Sequence, residues 1–193
     1  QLARECGLTA ESTVLDVGCG PGRLVIGLAK EFGTIRRYVG VDVHEPTVKW
    51  LKENIEPVFP PASFIHLPFR NERYNPAGSD AFELSFEEPF DCVTLISVFS
   101  HMRIADITAY LPGLRAAMKD TGKLYLTLFV EDDVPDETEN PQDYYRAWDG
   151  PLHCVRLNRQ KFESLAREAG LQVQAVRYRD TNDGQSMFIF CSC

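Results

Sequence analysis

Val14-Leu15-Asp16-Val17-Gly18-Cys19-Gly20-Pro21-Gly22-Arg23 carries an apolar strand into three closely spaced glycines and directly on into an amphipathic helix. Glycine tolerates positive φ and has no side chain, so a ligand can approach the backbone where the strand turns into the helix. In open α/β sheets that turn, at the carboxyl ends of the strands, is where nucleotides bind. The spacing selects among nucleotides. A dinucleotide fingerprint needs a small residue three positions after its second glycine, so that helix and strand pack tightly. Arg23 stands there instead, and the third glycine is displaced to Gly22. Asp16, two residues before the first glycine, would repel a pyrophosphate and suits a ligand with a cationic end.

Outward from this loop, strand and helix patterns alternate, which predicts a mostly parallel sheet covered on both faces. Thr13 to Val17 is the first strand. The helix after the loop places Leu24, Val25, Leu28, Ala29 and Phe32 on one face and ends at Gly33. Tyr38 to Val43 forms the second strand, Pro46 opens a helix, and Ser63 to Leu67 forms a short third strand. Pro68 to Glu88 reads as irregular. Phe90 to Val98 is strongly apolar, as expected of a strand buried on both faces. Ile104, Ile107, Leu111, Leu114 and Met118 recur at helical spacing, Asp120-Thr121-Gly122 stops that helix, and Lys123 to Val130 is the fifth strand. Asn158 caps a last helix, closed by Gly170. Leu171 to Tyr178 and Ser186 to Cys191 are joined by a short loop, which makes them an antiparallel hairpin. The expected fold is a three-layer Rossmann-like α/β sandwich, a mostly parallel seven-stranded sheet closed by that hairpin, in a single domain over residues 1–193.

The connection after the fifth strand gathers Glu131, Asp132, Asp133, Asp136, Glu137, Glu139 and Asp143. It reads as a solvated loop; the functional alternative is a mobile lid that selects a cationic substrate. Tyr144, Tyr145, Trp148 and His153 lie where they could wall an acceptor pocket.

The 193 residues suffice for one full core, and the net charge of −8 argues against a nucleic-acid surface. No apolar run approaches the roughly 20 residues that span a bilayer, and no secretory leader is visible. The six cysteines and four histidines show no metal-ligand spacing. Buried free thiols in a reducing cytoplasm are the simplest account of the cysteines, so a cytoplasmic location and no metal site are expected.

The Asp16-x-Gly18-x-Gly20-x-Gly22 run resembles the first motif of the class I S-adenosylmethionine (SAM)-dependent methyltransferases. Phe90 to Met102, with its Ser97-Val98-Phe99-Ser100-His101-Met102 ending, is similar to the fourth-strand motif of a small-molecule subgroup, and Gly122-Lys123-Leu124 resembles the turn into the fifth strand. The resemblance implies SAM as cofactor and methyl transfer to an O or N atom of a small molecule; with the charge balance and the lack of a spanning run, neither nucleic acid nor membrane is expected as partner. It implies that Asp16, Gly18, Cys19, Gly20, Gly22 and Arg23 surround the methionyl part of the cofactor, with Ser97 near it. Asp42, with Val43 beside it, ends the second strand about twenty residues beyond the glycines, where an acid accepts bonds from ribose hydroxyls. A carboxylate there serves NAD equally, and a strand-end acid is the plainer account. His44 either borders the adenosine or is a surface histidine.

The subgroup's acid after the third strand falls on Pro68 here, so adenine would rest on Leu67, Phe69 and backbone groups. A competing alignment over Ser79-Asp80-Ala81-Phe82-Glu83-Leu84 gives that role to Asp80. No carboxylate ends the fourth strand, so a catechol-type magnesium site is not expected. His101, at the end of that strand, is either the general base for a hydroxyl acceptor or a helix-start residue packed on the sheet. The other functional classes open to this sequence are an NAD-dependent oxidoreductase and a non-catalytic module that binds a partner protein.

Overall fold

Val14, Leu15 and Val17 are almost completely sequestered because their strand runs through the centre of a sheet covered on both faces. The computed structural model describes residues 1–80, 83–144 and 147–193. Its helices are α1 (Leu2–Cys6), α2 (Arg23–Phe32), α3 (Glu45–Asn54), α4 (Ile104–Ala116) and α5 (Arg159–Glu168). The strands are β1 (Thr13–Val17), β2 (Arg37–Asp42), β3 (Ala62–His66), β4 (Phe90–Leu95), β5 (Met118–Glu131), β6 (Glu137–Glu139), β7 (Val155–Asn158), β8 (Leu171–Arg177) and β9 (Ser186–Ser192). Strands β3, β2, β1, β4 and β5 lie side by side and parallel; β9 runs antiparallel against β5, and β8 antiparallel against β9. This is a Rossmann-like arrangement, mostly parallel with an antiparallel end.

Alternate side chains of each strand enter opposite layers. Val14, Tyr38 and Cys92 pack with Val25, Leu28, Val48 and Leu51 of α2 and α3. Leu15, Val93 and Leu126 pack instead with Ile107, Leu111 and Leu114 of α4 and with Phe162 and Leu165 of α5. Asn158 caps α5 as expected, its side-chain oxygen accepting from the Lys161 N–H.

Two departures lie at opposite ends of β5. Asp120-Thr121-Gly122 does not stop a helix. The strand is already under way at Met118, which pairs with Phe90, and the register then jumps so that Cys92 faces Lys123. The intervening residues form a bulge, which Lys119 Nζ ties to Asp91 at 2.7 Å. The acidic connection is also not simply a solvated loop. It contains β6, which pairs with β7, and β7 lies parallel to the Phe129–Glu131 end of β5, making nine strands among the described residues. Its carboxylates bind internal cations: Arg103 meets Glu137 and Glu139, while Arg156, almost fully buried, meets Glu131 and Asp143.

Candidate active site

Three left-handed glycines build the turn out of β1, with φ of 73° at Gly18, 49° at Gly20 and 81° at Gly22. The Gly18 and Cys19 N–H groups both donate to the Val41 carbonyl, tying the loop to β2. The glycines are needed for different reasons. A Cβ on Gly18 would lie 2.4 Å from a methyl of Val98, and one on Gly22 would lie 2.8 Å from Leu51. At Gly20 it would meet nothing within 4 Å, because that residue borders open space.

The space is a cavity of about 630 Å³ at the carboxyl ends of β1 to β4, within the range of small-molecule sites. One part is walled by Gly18, Gly20, Asp42, Val43, Leu67 and Phe69. Asp42 Oδ2 accepts from the Gly20 N–H at 2.8 Å and Oδ1 from the His44 N–H at 2.9 Å. Each carboxylate oxygen keeps a further lone pair for a ligand hydroxyl. The other part is walled by Ser97, Val98, His101, Met102, Tyr110 and Leu152.

His101 Nδ1 lies 2.9 Å from the Leu152 carbonyl oxygen. A carbonyl only accepts, so Nδ1 carries the proton and Nε2 keeps its lone pair. Burial pushes the His101 pKa below its ordinary value, outweighing the carbonyl bond that raises it. Leu152 itself has φ 48°, and its N–H donates to Glu139 at 2.7 Å.

Asp16, Cys19, Gly22 and Arg23 were expected around the cofactor, but none lies on the cavity wall. Asp16 is 3% exposed, and its oxygens accept from the Tyr38 hydroxyl at 2.5 Å and the Thr94 hydroxyl at 2.7 Å. Its bonds to Tyr38 and Thr94, on the neighbouring strands, hold it off the cavity wall. Cys19 is buried near Gly40, Gly22 is packed over Leu51, and Arg23 points to solvent. Trp148 also misses the cavity, stacking with Phe129 and His153 and packing on Cys154. Tyr144 joins that cluster, while Tyr145 lies outside the described residues.

A family model described as a methyltransferase domain matches residues 2–176. The chain belongs to this methyltransferase-domain family. Solved structures share its fold. A TehB-like SAM-dependent methyltransferase from Corynebacterium glutamicum is 15% identical, with a TM-score of 0.64 over 100% of this chain and 86% of that one. A SAM-dependent methyltransferase from Clostridium acetobutylicum is 13% identical, with a TM-score of 0.69 over 99% and 87%. The magnesium protoporphyrin IX methyltransferase of Synechocystis is 16% identical, with a TM-score of 0.64 over 100% and 75%. Family and fold together make the chain a SAM-dependent methyltransferase.

A further part of the cavity wall comes from the segment after β3. Residues 67–80 fold back on themselves: Asn71 and Asn75 exchange backbone hydrogen bonds, and the Ser79 N–H donates to the Pro68 carbonyl. This lobe brings Arg70, Asn71, Glu72, Tyr74, Ser79 and Asp80 to the cavity. Asp80, the competing adenine acid, therefore reaches the wall, with Arg70 3.5 Å away; Ala81 and Phe82, of the same alignment, lie outside the described residues. From α4 come Asp106 and Tyr110. Among the described residues of the methyltransferase no cluster could hold a metal, and no helix is long and apolar enough to cross a membrane.

Proposed function

We propose that the cavity binds SAM in its glycine half and a small-molecule acceptor in its His101 half, with methyl transfer to an oxygen or nitrogen. The observation that carries this reading is the junction of Gly20 and Asp42. An open glycine backbone and a carboxylate anchored by two N–H groups share one wall, at the carboxyl ends of adjacent strands. The residues present fit the cofactor. Gly18 and Gly20 leave room for the methionyl chain, Asp42 receives the ribose hydroxyls, and Val43, Leu67 and Phe69 offer an apolar slot for adenine. Asp16 acts from beneath the loop, as a buried negative charge favouring a cationic ligand, rather than by touching it.

Bound SAM supplies a methyl group on an electrophilic sulfonium. The protein's own part is alignment and proton removal. Ser97 and Val98 close the wall between the two halves. His101 holds its proton on Nδ1 against Leu152 and is neutral near pH 7, so Nε2 can take the proton of an acceptor hydroxyl. Tyr74, stacked edge-on to His101 at 5.5 Å, and Tyr110 give the acceptor half an aromatic lining. The continuous sheet supports reading residues 1–193 as one catalytic domain. Free cysteines, four of them buried, suit a reducing cytoplasm.

Calorimetric titration with S-adenosylhomocysteine (SAH), run beside NADH, tests the cofactor assignment. Saturable SAH binding without NADH binding is expected; no SAH binding at millimolar concentration sinks it.

A further inference from the structure

Ser97 follows the end of β4 in the left-handed region, at φ 57°, although it is not glycine. A non-glycine residue persists there only when its surroundings hold it, and such residues gather at functional sites. What holds Ser97 comes from the far end of the chain. Its N–H donates to Thr127 Oγ1 at 2.9 Å, and the Thr127 hydroxyl donates to Gln185 Oε1 at 3.0 Å. Gln185 Nε2 donates to Ser97 Oγ at 2.8 Å and to Asp183 Oδ2 at 2.8 Å.

Gln185 and Thr127 are each 2% exposed, so the ring of bonds is buried on its inner side, while Ser97 and Asp183 are half-buried. The network demands a carboxamide. Ionised Asp183 only accepts, so the NH2 group must face it, which leaves the amide oxygen for Thr127. Glutamate keeps that oxygen but has no donor for Ser97 or Asp183, and it adds a negative charge beside one already present. Thr181 fixes the loop from behind, accepting from the Gln185 N–H at 2.7 Å.

The turn at Ser97 sets the next residue, Val98, hard against the glycine loop, in the space that a Cβ on Gly18 would need. We propose that Gln185 is a positioning residue for the donor half of the cavity, acting through Ser97 and Val98 on the Gly18 turn. This rests on the SAM reading above. It adds that the β8–β9 loop, which supplies no residue to the cavity wall, sets cofactor affinity.

The test is a double-mutant cycle read by SAH calorimetry, with amide hydrogen exchange on the ligand-free protein. Q185A and Q185E are each expected to weaken SAH binding about tenfold and to speed exchange of the Ser97 amide. In an S97G background, where glycine adopts the turn unaided, the Q185A change is expected to cost less than about threefold. SAH affinity in folded Q185A equal to that of the parent overturns the proposal. So does an equal loss in both backgrounds, since the residue would then act on something other than the Ser97 turn. Unchanged Ser97 exchange in both variants overturns the clamp without reference to any ligand. Failure of the parent protein to bind SAH removes the cofactor reading itself, and is visible before any variant is compared.

Discussion

Asp16 shows why a motif residue can matter without touching a ligand. Burial pushes its pKa up to about 6, against the hydrogen bonds from Tyr38 and Thr94 that lower it, with Asp42 adding a smaller upward push. The folded protein therefore holds this proton more tightly than the unfolded chain, whose value is near 3.8. The stability so conferred is complete below pH 3.8 and is lost as pH rises through about 6. Near pH 7 the protein folds around a buried carboxylate, at a cost on the order of 2–3 kcal/mol. D16N, which keeps the shape, is expected to raise stability near pH 7 by about 1–3 kcal/mol in urea melts. The same change should weaken binding of cationic SAM more than of SAH, read by calorimetry; equal effects on both ligands remove the electrostatic role. His101 has the opposite sign. Burial lowers its pKa, so the base form persists below the usual histidine range. With a hydroxyl acceptor, the acid limb of kcat/KM should fall below pH 6.5 and vanish in H101A, while SAH affinity stays intact. A limb that survives in H101A assigns the titration to another group.

At the scale of elements, β5 carries a bulge at its amino-terminal end, opposite the start of β4 and away from the cavity. Its bulge places Gly122 so tightly that a Cβ would lie 2.9 Å from the carbonyl oxygens of both Lys119 and Phe90. Those are backbone atoms and cannot swing aside. G122A is therefore expected to lose about 2–3 kcal/mol in denaturant melts, because the β4–β5 register must shift. An unchanged midpoint would show that the bulge is adaptable. The main elements were legible because periodicity alone separates half-buried helices from buried strands. The glycine loop was legible because its backbone demands a rare residue. The bulge was not, since Asp120-Thr121-Gly122 carries the same turn chemistry whether it ends a helix or interrupts a strand. Strand β6 was hidden for a different reason. Glu137 and Glu139 look solvated in isolation, and only the tertiary fold brings Arg103 and the Ile104 and Leu152 N–H groups to them. Likewise the bonds from Tyr38 and Thr94 that hold Asp16 off the cavity wall were not legible, because a strand pattern does not tell what a buried polar residue meets.

For the whole molecule, the cavity joins the glycine loop, the 67–80 lobe, the end of β4 and α4, which otherwise belong to separate layers. A ligand that bridges them should stabilise the entire fold rather than one loop. At a hundredfold excess over Kd, SAH should add about 2.7 kcal/mol. For a domain of this size that raises the melting temperature by roughly 5–11 °C. A shift under a degree at that excess would mean that SAH does not bind the folded state in preference to the unfolded chain. The sheet order carries a consequence for biosynthesis. Strand β9 lies between β5 and β8, yet it is translated after both. Until residues 186–192 leave the ribosome, the Leu124–Leu128 rim of β5, which β9 later pairs, has no main-chain partner on that side. An unpaired apolar edge is a template for pairing with another chain. The nascent protein is thus exposed to aggregation until β9 emerges, and a ribosome stalled within this hairpin would present that sticky rim to its neighbours.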